Sequence, residues 1–224
     1  MYVTIPSEFA DARPITPFAK TVHKTIETRV KPGAYLYFEG DEVDWLYRVT
    51  SGVLRLTRLL PDGRRQVVAF GYPGDIVGFP ADGLHHADCE ALTEVRLQSY
   101  RRTCLEKGDC DPQLHQSLLQ SALREISAMQ DHLMMLGRKS ATEKLASFLC
   151  VLSERVGEDL GTHQQITLPM SRSDIADFLG LTTETISRTF SQLRKDKVIA
   201  IDNIHTIIIL QPSVLLALSS GECH

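Results

Sequence analysis

What the chain has little of narrows the field first. No apolar run approaches the roughly eighteen residues of a membrane-spanning helix. The opening residues, MYVTIPSEF, lack the basic start and apolar core of a secretory signal. A cytoplasmic protein with no membrane partner is therefore expected. Cysteine is sparse and poorly arranged for metal or disulfide chemistry: Cys89, Cys104, Cys110, Cys150 and Cys223 are odd in number, irregularly spaced and include no CxxC pair. Neither a zinc ribbon nor a disulfide framework is expected, and each cysteine reads as a small apolar residue. Charge of one sign is also missing, since a net charge of −4 with 23% charged residues gives no bulk signature of a nucleic-acid binder. Paired carboxylates in a glycine-rich site, GxSxG and a phosphate loop are all absent, so an enzyme is not expected.

What is there is an ordinary globular composition, 43% hydrophobic, in 224 residues, enough for two modest domains. Residues 1–25, with Pro6, Pro14 and Pro17, read as an irregular arm closing on a short helix at 18–24. Short β-rich runs follow at 45–49, 53–59, 66–70, 76–79 and 95–99, with Leu36 and Phe38 before them. Turn sequences such as Pro32-Gly33, Ser51-Gly52 and Pro73-Gly74-Asp75 separate them, as in a small sandwich or barrel. His85, His86, Asp88 and Cys89 cluster in sequence, but neighbours in a turn rarely converge on one ion and metal-ligand spacings are missing. A solvated loop is expected there, with no metal.

After Pro112 a long helix is expected to about residue 137. Leu119, Ala122, Ile126, Met129, Leu133 and Leu136 are spaced 3, 4, 3, 4, 3, the seam of a coiled coil uninterrupted by charge. A monomer would leave that stripe in water, so a homodimer is expected; the competing use is packing on the chain's own β-rich domain. A hinge is expected at 137–139. A capping box at Ser140 and Glu143 then opens a helix to about residue 155. A loop is expected at 157–163, a strand at 165–168, a hairpin at 198–210 whose Ile207, Ile208 and Ile209 pack under the preceding stretch 170–197, and a closing helix at 212–218.

The richest stretch is MSRSDIADFLGLTTETISRTFSQLRKDK, residues 170–197. Ser171 caps a first helix with an apolar face at Ile175, Phe178 and Leu179; Gly180 ends it, and Thr182 caps a second. In the second helix Ile186, Phe190 and Leu193 share one stripe, while Glu184, Ser187 and Arg188 share the opposite face. Arg188 can donate twice to guanine, Glu184 can accept from cytosine and Ser187 can serve several bases. An isolated Glu and Arg four apart are usually a surface ion pair, but two capped helices around a glycine turn form a helix-turn-helix. Ser171, Arg172, Thr182, Thr183, Thr185 and Arg194 are the candidates for backbone contacts. Cations and acids balance across 171–210, so specificity is expected to come from base contacts and helix N-termini.

DIADFLGLTTETISRTFSQLRKDKVI resembles the DNA-binding motif of the CRP/FNR superfamily of bacterial transcription regulators, and ETISR resembles its FNR and FixK branch. The resemblance implies an α+β fold: an arm and cyclic-nucleotide-binding-like β jelly roll over 1–111, a dimerisation helix and hinge over 112–138, and a winged helix-turn-helix over 139–224. It further implies that Glu184, Ser187 and Arg188 read a palindromic TTGAT-type box on double-stranded DNA, that the long helix pairs two copies, and that RNA polymerase is a partner. The loop 60–65 is the family's place for that last contact; an ordinary hairpin tip is the competing reading. Oxygen-sensing relatives ligate an iron–sulfur cluster through N-terminal cysteines, and residues 1–88 contain none. Nucleotide-binding relatives carry a Glu and an Arg-Ser pair where this chain has Phe79 and His85-His86, so no cyclic nucleotide is expected. The resemblance thus implies a FixK-like activator of microaerobic, nitrogen-fixation or denitrification genes that needs no cofactor, the alternative being a haem- or other ligand-gated sensor, for which the sequence selects no axial ligand.

Overall fold

Alternating side chains and glycine turns shape the first half of the chain. The computed structural model describes residues 26–80 and 82–221; the arm expected at 1–25 and the frayed end expected at 224 lie outside them. The strands are β1 (Ile26–Val30), β2 (Tyr35–Tyr37), β3 (Trp45–Ser51), β4 (Leu54–Leu59), β5 (Arg65–Gly71), β6 (Ile76–Val77), β7 (Asp88–Ala91) and β8 (Val95–Arg101), followed by a short helix α1 (Arg102–Glu106). They form two four-stranded sheets, ordered β1-β8-β3-β6 and β2-β7-β4-β5, the sandwich expected from the turn spacing. Val95, Leu97 and Ser99 on β8 are buried, with exposed Arg96 and half-buried Gln98 between them, as a period of two requires. At the tight turn after β3, Gly52 has φ 83°, and a Cβ there would lie 2.2 Å from the Glu94 carbonyl oxygen, so only glycine fits.

Two expectations need correction here. The run 85–89 is not a solvated loop: His85 is buried and stacked on Tyr37 at 3.6 Å between ring centroids, and Cys89 is fully buried on β7. Asp88 and Glu90 take the other side of that strand, and their polarity concealed its alternation. Secondly, Cys104 and Cys110 form a disulfide. Helix α1 turns the chain between them and brings their Cα atoms within 5.2 Å, a closeness invisible without a recognised spacing motif. Cys104 packs with Leu46, Ile76 and Leu118.

The described residues divide into two compact units, 26–55 with 71–125, and 56–70 with 126–221. Helix α2 (Pro112–Arg138) runs on from one to the other. In the second unit follow α3 (Ala141–Val156), β9 (Glu158–Leu160), β10 (His163–Thr167), α4 (Arg172–Leu179), α5 (Thr183–Lys195), β11 (Ile199–Asn203), β12 (Thr206–Ile209) and α6 (Pro212–Ser220). The four strands pair as β11-β12-β10-β9; residues 158–160, expected in a loop, are thus a strand. The capping box of Ser140 and Glu143 opens α3 as expected. Helix α2 continues to Arg138, through residues expected as a hinge, and the Lys139 ammonium donates to Ser147 Oγ at 2.9 Å and to the Ser219 carbonyl.

Phe70, Phe148 and Phe178 meet at the centre of the second unit, 5.3–6.4 Å between ring centroids. Their tilted arrangement suits the quadrupoles of aromatic rings. Of the three isoleucines on β12, Ile207 and Ile209 are buried and Ile208 only partly so, which corrects the expectation that all three pack inward: a strand turns alternate residues out.

Candidate nucleic-acid interface

Both helices of the motif begin on built caps. Ser171 Oγ accepts from the Asp174 amide at 3.1 Å, and the Asp174 carboxylate accepts from the Ser171 amide at 2.9 Å, closing a reciprocal capping box. Gly180 ends α4 with φ 62°, the left-handed conformation glycine adopts without strain. Thr182 Oγ1 accepts from the Thr185 amide at 3.1 Å and shares a hydrogen bond with the Thr185 hydroxyl, starting α5 after a three-residue turn.

On α5 the two faces part as the periodicity predicts. Ile186, Phe190 and Leu193 are buried to 2% exposure or less, each worth about 1.5–3 kcal/mol of transfer from water. Glu184, Ser187 and Arg188 are exposed. In the free protein Arg188 donates to Glu184 at 2.5 Å, with side chains 77% and 72% exposed. Such an exposed pair is worth only about 0.3–0.5 kcal/mol, so a base edge can outcompete it. Ser187 Oγ donates to the Thr183 carbonyl at 2.9 Å, leaving its lone pairs outward as acceptors.

The backbone candidates fall into two groups. Ser171, Thr182, Thr183 and Arg194 are exposed and Thr185 is half-buried. Arg172 is half-buried, its guanidinium 3.5 Å above the Phe190 ring; burial lowers its pKa. It braces α4 against α5 by a cation–π contact.

One contact to α4 was missed. Arg65, at the start of β5 and in the same compact unit as the motif, donates to Asp174 at 2.7 Å and to Asp177 at 2.7 and 3.2 Å. Gln66 donates to the Asp177 carbonyl. The available signal was a pair of acids three apart on α4, one of them buried, with no cation at helical spacing to answer them.

In the sandwich, Phe79 packs against Leu46, Ile76, Cys104 and Leu118. Burial lowers the pKa of His85, keeping it neutral at pH 7, and exposed His86 shares a hydrogen bond with Asp82 at 3.0 Å. A cyclic phosphate needs a permanent cation or converging N–H donors, and these three residues supply neither. Among the described residues no group of three His, Cys, Asp or Glu side chains is arranged to hold a metal ion. No described helix is long and apolar enough to cross a membrane.

Helix α2 presents two stripes one residue out of step. Leu118, Ala128, His132 and Met135 are buried at 4% exposure or less. The expected seam lies beside them and faces out: Leu119 is 43%, Ile126 53%, Met129 39% and Leu133 62% exposed, while Ala122 and Leu136 are half-buried. The described residues thus leave most of that seam exposed.

Known proteins answer to both halves. The family model of the Crp-like helix-turn-helix domain matches residues 143–218, and that of the cyclic nucleotide-binding domain matches 27–107. The nitrogen fixation regulation protein FixK of Rhizobium meliloti is 42% identical over 188 residues, 84% of each chain. FixK of Bradyrhizobium diazoefficiens is 42% identical over 191 residues, 84% of this chain and 80% of its own. The solved structure of FixK2 from Bradyrhizobium japonicum superposes with a TM-score of 0.78 at 33% identity, covering 87% of this chain and 96% of that one. A capped reading helix in a winged fold, a cyclic-nucleotide-type sandwich and these relatives together establish that the chain belongs to the CRP/FNR family of DNA-binding transcription regulators, alongside its FixK members.

Proposed function

We propose that the protein is a homodimeric activator that reads a palindromic TTGAT-type box with Glu184, Ser187 and Arg188. The observation that carries this reading is the outward face of α5, where those three side chains stand exposed while the rest of the helix is locked into its domain. Two-fold pairing along Leu119, Ala122, Ile126, Met129, Leu133 and Leu136 would present two such helices, matching half-sites roughly 10 bp apart between centres. Functionally we divide the chain at residues 111 and 138, into sandwich, pairing helix and reading domain. Thr183, Arg194 and the capped N-termini of α4 and α5, with Ser171, Arg172, Thr182 and Thr185, meet the phosphates.

Activation works through RNA polymerase, for which the hairpin between β4 and β5 offers exposed Leu59 and Leu60 beside an Asp62–Arg64 ion pair. The poor fit of Phe79, His85 and His86 to a cyclic phosphate supports a regulator that works without that ligand, in the cytoplasm, on genes of microaerobic or nitrogen metabolism; its FixK relatives are named for nitrogen fixation regulation. The test is a gel shift at physiological salt with Arg188→Ala. Discrimination at the half-site guanine should fall by about 1–3 kcal/mol. Full retention of preference for TTGAT over scrambled DNA would refute the assignment.

A further inference from the structure

We infer that Arg65 is a positioning residue for DNA recognition: it sets the helix-turn-helix by tying the hairpin between β4 and β5 to α4 through Asp174 and Asp177. The inference rests on the proposed reading of DNA by α5. Arg65 lies 109 residues from Asp174 in sequence, yet one guanidinium bridges two carboxylates on successive turns of α4, at 2.7 Å to each. Asp174 is almost fully buried and its two oxygens are divided between two tasks, Oδ2 closing the Ser171 cap and Oδ1 receiving Arg65. The Gln66 amide adds a hydrogen bond to the Asp177 carbonyl, one turn before the helix ends. Helix α4 is thereby held at its first turn and near its last.

The consequence for reading follows from how α5 is carried. Only Gly180, Leu181 and Thr182 separate the two helices, and Arg172 over Phe190 couples them again. A tilt of α4 therefore moves Glu184 and Arg188, whose base contacts depend on placement within ångströms. One nitrogen, Nη2, meets both carboxylates and Nε adds a second bond to Asp177; a lysine ammonium, with three donors on a single nitrogen, can keep the two short contacts but not that third bond. One of the two negative charges of Asp174 and Asp177 is thus answered by Arg65 within the protein.

The test is fluorescence anisotropy with the full chain, using a labelled TTGAT palindrome and a scrambled duplex at physiological salt. Wild-type preference for the palindrome is required first; without it the proposed function fails, and this inference with it. Given that preference, Arg65→Ala should weaken the palindrome by roughly tenfold or more, the size of one lost base contact, with scrambled-duplex affinity unchanged. Arg65→Lys should recover to within about threefold of wild type. Circular dichroism at the assay temperature checks that each variant is folded, and Asp177→Asn, which removes the half-exposed carboxylate and leaves the buried one paired, should lower palindrome affinity in the same direction. Wild-type affinity in Arg65→Ala and Asp177→Asn, or equal loss on both duplexes, overturns the inference.

Discussion

Helices α2 and α5 each carry an apolar stripe of heptad-like spacing, yet they use it in opposite senses. On α5 the stripe of Ile186, Phe190 and Leu193 is inside and the polar face is out. On α2 the fully apolar stripe is out, and the stripe turned inward contains Glu125 and His132 among Leu118, Ala128 and Met135. An apolar face in one chain reports only that something must cover it. Whether the cover lies in the same chain turns on the neighbouring stripe, which on α2 is already buried. On the proposed function, α5 is complete in one copy and α2 is completed by a second.

The largest effect should come from the outward stripe. Ile126→Lys combined with Leu133→Lys puts four charges into a two-fold interface and removes four buried side chains, a loss on the order of 5 kcal/mol or more in pairing. Both residues are exposed in the single chain, so sedimentation should show a monomer whose helical circular dichroism is intact. A variant that unfolds, or one that still pairs, would break the contrast between the helices. Next is Phe190→Ala on the inward stripe of α5, which should lower stability by about 3–5 kcal/mol in denaturant titrations of the reading domain. Pairing should persist, because the lesion is confined to one copy.

The smallest effect concerns the polar member of α2's inner stripe. His132 is stacked on Phe178 at 4.3 Å and burial lowers its pKa to about 4. The unfolded chain, with a histidine near 6.5, then binds the extra proton first. Stability is therefore fully present above about pH 6.5 and declines as pH falls towards 4, by at most a few kcal/mol. Thermal melts of His132→Leu should show a flatter slope than wild type across that window; parallel slopes would show that the ring is not held neutral.

How much was legible follows from the same chemistry. Caps, turns and one-sided stripes act within a few residues, so the Ser171 and Thr182 caps, Gly180, the buried set on α5 and most strands could be read directly. β7 could not, because Asp88 and Glu90 alternate with Cys89 and Ala91 and look like solvent-facing loop until Glu90 is seen against Arg55 at 2.5 Å. The inner stripe of α2 was hidden by Ser121, Glu125 and His132, whose polarity argues for water when each is taken singly. Arg65 falls in the loop 60–65, expected as a polymerase contact or an ordinary hairpin tip, and its bond to α4 could not be read because its partners lie 109 and 112 residues away. Long-range polar pairing leaves no periodic trace, and here it joins β5 to α4.

The uncovered stripe on α2 also bears on how such a regulator is controlled. On the proposed pairing, the DNA-reading species forms from two chains, so well below the dissociation constant its concentration rises as the square of chain abundance. Doubling synthesis then quadruples occupancy of a weakly filled operator, and slow dilution by growth switches it off more sharply than the protein itself disappears. A threshold of this kind lets the rate of production serve as the signal.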